Sequence, residues 1–350
     1  MKLGLVVNDI FTEYEDYTTT QIAMTATNLG HEVWYISVSQ LAYSTDEHLV
    51  ANARSVLQHK YLSRDVYLRT LQSNKAMKTK LDLNTLDVLW LRNDPADDAT
   101  TRPWAALAGI NFGRLAKRHG TLVLNDPDGL SVASNKLYLQ YFPEVVRPKT
   151  LISRDAKDIK EFIHELGGLA VLKPLSGSGG HNVFLIQNEE KANINQIIEA
   201  IETEGYVIAQ EYLPLACNGD TRMFLMNGKP LLYKNKYAAM HRCRERGDGD
   251  MRSNMSAGAI AQKATVTPEM LEIAETIRPR LTQDGMFFVG LDIVGNKLME
   301  INVFSPGGLH ECDLFENCKF CPEVIHTIER KVDYIHRYEG IFDNLEMAML

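Results

Sequence analysis

No run in this chain of 350 residues reaches the ~18 consecutive apolar residues that a membrane-spanning helix needs. The opening MKLGLVVNDIF is too short an apolar run for a secretion signal, and charge follows soon after; it reads as a first buried strand. Basic blocks are missing too. The net charge is −8, so the cationic stripe of a nucleic-acid-binding surface is excluded as the main business, while a nucleotide pocket needs only a few local cations. Cysteine is scarce: Cys217, Cys243, Cys312, Cys318 and Cys321 make five, an odd number, and the expectation is reduced thiols in the cytoplasm. The CKFC at 318–321, with Cys312 and His310 nearby, has the look of half a zinc site, but incidental thiols account for it. Internal repeats and low-complexity tracts are absent. No glycine-rich loop carries GK followed by Ser or Thr, and no GxGxxG opens a helix, which removes the P-loop and the dinucleotide loop.

What remains is an ordinary globular composition, 45% hydrophobic and 23% charged, long enough for two or three domains. A strand at 3–8, an amphipathic helix stopping at Gly30 and a second strand HEVWYIS make a βαβ unit, so a parallel sheet is predicted. Residues 44–82 read as polar and irregular. The strand LDVLWLRNDP, a helix over 103–120 and the strand TLVLND complete a first α/β domain at 1–125. A short helix over 131–144 follows, then a compact α+β unit, giving a second segment at 126–210. From 211 to 335 alternating apolar runs joined by NGK and GNK turns predict antiparallel hairpins, then a helix around 322–338, with a tail at 336–350.

Four stretches carry chemistry. In VLKPLSGSGGHNVFLI, at 171–186, a glycine loop lies between two strands rather than between a strand and a helix. Its backbone amides can converge on an anion, and Lys173 on the first strand can reach a phosphate; a flexible surface hairpin is the plain alternative. In GLDIVGNKLMEINVFSPGG, Glu300 and Asn302 are two residues apart and share a face, with Asp292 across the hairpin. Oxygen side chains among apolar neighbours need a partner, and hard oxygen ligands suit Mg²⁺. The strand VIAQEYLP suits a linker whose backbone reads an adenine edge. Arg222, after Asp220, opens another strand and is a candidate phosphate partner, although a lone arginine is more often in a salt bridge. Arg92 and Asp94 sit where a strand of an open α/β sheet ends, a place for ligands; by position alone a solvated strand end with a salt bridge also explains them.

The order of these pieces carries more than any one of them. Lys136, then Lys173 and the glycine hairpin, then QEYLP, Arg222 and the D…E-x-N hairpin resemble the ATP-grasp superfamily, and within it the bacterial glutathione synthetase family. LRNDPADD, SNKL, SNMSAGAIAQ and FVGLDIVGNKLMEINVFSP extend the likeness over about 1–310. The resemblance implies an ATP-grasp fold in which an N-terminal parallel-sheet domain precedes a lid and a C-terminal antiparallel-sheet domain. It implies ATP contacts at Lys136, Lys173, Ser176, Gly177, Ser178, Gly179, Gly180, Gln210, Glu211, Tyr212, Leu213 and Asp220. It places Mg²⁺, or Mn²⁺, on Asp292, Glu300 and Asn302, with Arg222 and Asn302 at the reacting phosphate. Substrate contacts are expected at Arg92, Asp94, Arg252, Asn254, Ser305, Gly307 and Gly308.

The implied activity is an ATP-dependent carboxylate–amine ligase working through an acyl phosphate. γ-Glutamylcysteine plus glycine is the first choice; a different amino acid or peptide pair, as in a glutamate ligase, is the alternative, and a non-catalytic nucleotide-binding protein is disfavoured by the intact lysines and ligands. Partners are small molecules, with no nucleic acid or membrane, in an expected homo-oligomer. Three departures fall at the substrate end. NVFSPGG, Arg252-Ser253-Asn254-Met255 and the early NDIFTEYEDY each differ from the usual family pattern.

Overall fold

The first strand, Lys2–Val7, is buried from Leu3 onward and pairs in parallel with Glu32–Ser37 and with Val88–Leu91. The computed structural model describes residues 1–99, 101–177, 181–187, 193–244, 258–338 and 340–350. The helix between the first two strands, Thr18–Asn28, ends because Gly30 takes φ +90 and lets the His31 amide reach back to the Ala26 carbonyl. Leu122–Leu124 adds a further parallel strand beside Val88–Leu91. Arg92 therefore emerges at the carboxyl end of an inner strand, where open α/β sheets bind ligands.

The stretch 44–82 corrects its irregular reading. It holds the strand Leu49–Ser55, the helix Arg64–Gln72 and the strand Met77–Asp82, all antiparallel or peripheral to the parallel core. Met77–Asp82 is an edge strand exposed over its first four residues, so its lysines replace the alternation that marks a half-buried strand. The helix expected over 103–120 is a short turn, Pro103–Ala105, followed by the helix Ala108–Arg118. The one expected over 131–144 is the helix Pro127–Val132, capped by Asp126, and a 3₁₀ turn at Lys136–Tyr141. The tail contains the helix Asn344–Met349, opened by a capping box between Asp343 and Glu346.

Among the described residues two main antiparallel sheets follow, with a two-stranded one formed by Leu232–Tyr233 and Lys236–Tyr237. Among the described residues the smaller runs Phe184–Gln187, Leu169–Pro174, Val207–Glu211, Thr150–Ser153, with helices Ala156–Glu165 and Ile194–Glu202 over a core of Ile159, Ile163, Ile186, Ile198 and Ile201. Leu169–Pro174 and Phe184–Gln187 are the arms of a hairpin, so the glycine loop does lie between strands. The larger sheet runs Ile260–Lys263, Ala239–Cys243, Asp220–Met226, Phe288–Val294, Lys297–Asn302, backed by the helix Pro268–Gln283. Buried Asn125 joins it to the N-terminal sheet: its side chain accepts from the Phe288 amide at 2.9 Å and donates to the carbonyls of Phe288 and Val303 at 3.1 and 2.6 Å.

Candidate active site

In the larger sheet the register sets Asp220 opposite Arg242, Arg222 opposite Asp292, and Asp292 opposite Glu300. Directly opposed side chains share a face, so charge pairs across the strands. Arg222 donates through Nε and Nη2 to the two oxygens of Asp292, at 2.8 and 2.7 Å. Arg242 holds Asp220 in the same two-pronged way, at 2.8 and 2.7 Å, and also sits 2.9 Å from Asp292. Asn302 Nδ2 adds a hydrogen bond to Asp292 at 3.2 Å. Burial works against the Asp292 charge, but Arg222 and Arg242 hold its carboxyl down at about 2. Buried ion networks of this kind contribute orientation more than stability. Here the result is an Arg222 guanidinium locked in place, with its Nη1 on the Gly307 carbonyl at 3.3 Å. A register shift between Asp292 and Ile293 marks an irregularity in the strand beside this cluster.

A narrow cleft of 140 Å³ lies between the two antiparallel sheets, lined by Lys136, Lys173, Ser176, Gly177, Gln210 and Glu300 among others. Lys173 Nζ donates to Gln210 Oε1 at 2.9 Å, and Gln210 donates to Thr150 Oγ1 at 3.0 Å. Lys136 Nζ donates to the Gly177 carbonyl, and its amide to the Leu175 carbonyl at 3.2 Å, which ties the turn to the base of the glycine hairpin. Burial brings Lys173 down to about 8 against the attraction of Glu300, with Lys136 adding to the fall. Lys136 is lowered as well, by burial, with Glu300 and Asp94 resisting. Two desolvated ammonium groups side by side are poised for a polyanion. Asp94 also lines this cleft; burial and then Asp97 raise it to about 6.

A wider cavity of 740 Å³ opens on the N-terminal side, lined by Arg92, Arg242, Gly307 and Gly308 with residues 8–19. Arg92 is 3% exposed, donates to Thr19 Oγ1 at 3.2 Å, and lies over the Trp90 ring at 5.3 Å. Burial lowers it to about 10. Gly308, at φ +103, precedes the helix Leu309–Glu316; that backbone conformation strains any residue with a side chain, and a Cβ there would also displace Met240 Cε, 2.1 Å away. Arg222, Asn302 and Ser305 line both this cavity and the narrow cleft, so the two meet at the arginine locked on Asp292.

Comparison with known proteins decides the family. Residues 1–131 match the prokaryotic glutathione synthetase N-terminal domain, and residues 135–317 match the prokaryotic glutathione synthetase ATP-grasp domain. The chain belongs to the prokaryotic glutathione synthetase family. The glutathione synthetase of Nostoc sp. is 30% identical over 342 residues, 95% of this chain and 99% of that one. That of Gloeobacter violaceus is 34% identical over 330 residues, 93% and 95%. Among solved structures, D-cycloserine synthetase DcsG superposes with a TM-score of 0.59 at 14% identity, covering 93% of this chain and 100% of that one. D-alanyl-alanine synthetase A from Vibrio cholerae gives 0.58 at 12%, covering 95% and 98%. These two show the ATP-grasp fold. As a member of the glutathione synthetase family with that fold, the protein is an ATP-dependent ligase.

Measured against the glutathione synthetase pattern, the structure brings together Lys136, Lys173, Ser176, Gly177, Gln210, Arg222, Glu300, Asn302 and Ser305. Arg92, Gly307 and Gly308 gather in the wider cavity, whereas Asp94 faces the narrow cleft instead. Glu211, Tyr212 and Leu213 do not line the cleft; the Glu211 carboxylate accepts from the Lys149 amide at 3.0 Å. Asp220 lies away from both cavities, under Arg242. Ser178, Gly179, Gly180, Arg252 and Asn254 fall outside the described residues. Arg242 and Glu13 were missed by reading the sequence. Arg242 sits in an unremarked MHRC strand, and its role follows only from the register opposite Asp220.

Proposed function

We propose that the protein joins γ-glutamylcysteine to glycine, with ATP converted to ADP and phosphate. The observation that carries this reading is the shared wall of Arg222, Asn302 and Ser305, where a nucleotide cleft and a substrate cavity meet. A carboxylate is a poor electrophile because an oxide is a poor leaving group. The carboxylate of γ-glutamylcysteine attacks the γ-phosphorus, ADP leaves, and the acyl phosphate is attacked by the amine of glycine with loss of phosphate and a proton. Such transfer is mostly positioning and charge neutralisation. Lys136 and Lys173 receive the phosphates, and Arg222, held by Asp292, meets the phosphoryl group in transit. Gln210 fixes the Lys173 ammonium by its side chain, and the hairpin that carries the glycine loop excludes water from an intermediate that hydrolyses.

Glu300 and Asn302 offer hard oxygens at the cleft, a donor set that fits Mg²⁺ completed by substrate phosphates. An ion held there would supply positive charge to neutralise the phosphate oxygens. Asp292 would hold the ion only if released by Arg222, since both of its oxygens are engaged. In the wider cavity Arg92 takes a substrate carboxylate, and Ser305 with the amides of Gly307 and Gly308 forms the anion-binding turn. The five thiols are all unpaired, which suits the cytoplasm. A homo-oligomer belongs to the same proposal and is read by light scattering.

The test supplies ATP, Mg²⁺ and γ-glutamylcysteine with glycine or a panel of larger amines, and identifies products by mass. Glutathione as main product is expected. A faster reaction with another amine transfers the protein to the alternative ligase reading, which the unfilled space beside Gly307 favours. No ADP with any amine rejects γ-glutamylcysteine as donor.

A further inference from the structure

Among the described residues four arginines line the wider cavity, and three of them are matched. Arg102 pairs with Asp98 at 2.7 Å, Arg222 with Asp292 at 2.7 Å, and Arg242 with Asp220 at 2.7 Å. Arg92 is not matched. Its contacts are the Thr19 hydroxyl and the carbonyls of Phe304 and Pro306, at 3.2, 3.4 and 3.5 Å, with no carboxylate in ion-pair range among the described residues. Glu13 is the opposite case in the same cavity. Its side chain is buried, 9% exposed, and Oε2 has no hydrogen-bond partner among the described residues.

The position is built, not accidental. Gln72 Nε2 holds the Ile10 and Glu13 carbonyls at 2.8 and 3.2 Å, Asp9 caps the turn Ile10–Thr12, and Thr20 Oγ1 holds the Tyr14 carbonyl at 2.8 Å. The segment thus keeps a carboxylate buried with Oε2 lacking a hydrogen-bond partner among the described residues, while the Arg92 charge acts on it from within the same cavity. Leaving a buried charged acceptor unsatisfied is costly, and a ligand cation removes that cost. One carboxylate with an unpaired oxygen and one guanidinium without a carboxylate partner among the described residues, both buried, fit the two halves of an α-amino-acid zwitterion.

We propose that Glu13 is a specificity-determining residue that receives the α-ammonium of the donor's γ-glutamyl end, while Arg92 receives its α-carboxylate. The inference rests on the glutathione reading for the donor and goes beyond it in assigning the ammonium. The acceptor amine is ruled out as the occupant on chemical grounds. It attacks as the free base, and a carboxylate counter-ion stabilises the protonated, non-nucleophilic form. The ammonium held by Glu13 is therefore one that does not react. The family resemblance does not supply this residue, because Glu13 lies in the NDIFTEYEDY segment that departs from the family pattern.

The experiment measures binding of γ-glutamylcysteine and of glutarylcysteine, the same peptide without the α-amino group, by calorimetry with a non-hydrolysable ATP analogue present. It uses the full chain and its Glu13→Gln and Glu13→Asp variants, with ADP release and glycine addition followed in parallel. The wild type is expected to prefer γ-glutamylcysteine by roughly 10- to 100-fold, the scale of a charge-assisted hydrogen bond. Glu13→Gln is expected to bring the two peptides within about threefold of each other, with Glu13→Asp between and nucleotide affinity unchanged. Equal binding of the two peptides by the wild type, or full discrimination kept by Glu13→Gln, overturns the assignment. The wild-type comparison decides the matter even if a variant fails to fold. Preference for γ-glutamylcysteine without ADP release overturns the reaction and leaves Glu13 standing. Normal glutathione formation without preference overturns Glu13 and leaves the reaction.

Discussion

Lys173 shows at the level of one side chain how the cleft is poised. Among the described residues its ammonium has one hydrogen-bond acceptor, the neutral Gln210, and burial lowers its pKa to about 8. A phosphate supplies the missing countercharge. Lys173→Ala is therefore expected to weaken binding of a non-hydrolysable ATP analogue by about 1–3 kcal/mol, read by calorimetry; unchanged affinity there and in Lys136→Ala removes both lysines from the nucleotide site. Glu300→Gln keeps the shape and deletes the charge of the proposed metal ligand. Its Mg²⁺-dependent turnover is expected to fall by roughly 100-fold or more, with an unaltered circular dichroism spectrum. Full activity in that variant takes the metal elsewhere. Glu13 makes a prediction about stability. Burial first, and Asp97 next, raise its carboxyl from 4.5 to about 7, with Arg92 opposing; Tyr17 and Tyr35 also feel its charge. A carboxyl with a raised folded pKa binds its proton more tightly folded than unfolded. Its contribution is then most favourable below about 4.5 and declines as pH rises to about 7, by about 3 kcal/mol in all. Glu13→Gln is expected to lose that decline, so urea unfolding from pH 5 to 8 should show the variant gaining on the wild type. Parallel pH profiles contradict a buried, uncompensated Glu13.

At the scale of an element, the helix Asn344–Met349 closes the molecule. Lys331, fully buried on the helix Cys321–Tyr338, donates to the carbonyls of Met347 and Ala348 at 3.1 and 3.0 Å and lies 5.0 Å from the Phe287 ring centre. Asn344 reaches the other way, accepting from the Val123 amide at 2.7 Å and donating to Asp126 at 2.7 Å. The helix thus ties a strand end of the N-terminal sheet to the helix Cys321–Tyr338. Removing residues 344–350 strips Lys331 of both acceptors and is expected to cost about 2–4 kcal/mol in urea unfolding at pH 7. Lys331→Met in the shortened chain is expected to recover part of the loss, because a thioether needs no acceptor. If it recovers nothing, the helix acts through packing alone.

Across the whole molecule the parts are joined by a few fully buried polar residues. Asn125 makes three hydrogen bonds to the backbone of the larger antiparallel sheet, one of them to Val303, the neighbour of Asn302. Gly129 is packed so close to the Asp284 carbonyl that a Cβ would lie 1.9 Å from it. Asn125→Ala leaves two carbonyls and an amide without partners and is expected to destabilise the fold by about 2–4 kcal/mol. It is also expected to lower kcat more than nucleotide affinity, since the strand it steadies carries Asn302 while the lysines lie elsewhere. A loss of affinity with kcat preserved counts against this coupling.

The amino-acid sequence on its own decided the ligase family and the strand order of its chemistry. Lys136, Lys173, Gln210, Arg222, Glu300 and Asn302 stand in motifs whose spacing is local, and a period of two puts Glu300 and Asn302 on one face without any knowledge of the fold. Gly30 and the turns at NGK and GNK were legible for the same reason, as φ-permissive residues act within a few positions. Only the tertiary structure decided who partners whom. Arg242 on Asp220, Asp292 held between two arginines, and Arg92 left without a carboxylate all depend on register between strands or on contacts about 20 to 210 residues apart. The Met77–Asp82 strand and the docking of the tail were hidden likewise, because edge strands and short capped helices take their stability from neighbours that a linear pattern does not contain. Glu13 is the sharpest instance: a carboxylate in a polar stretch looks solvated in sequence, and packing alone removes the water around it.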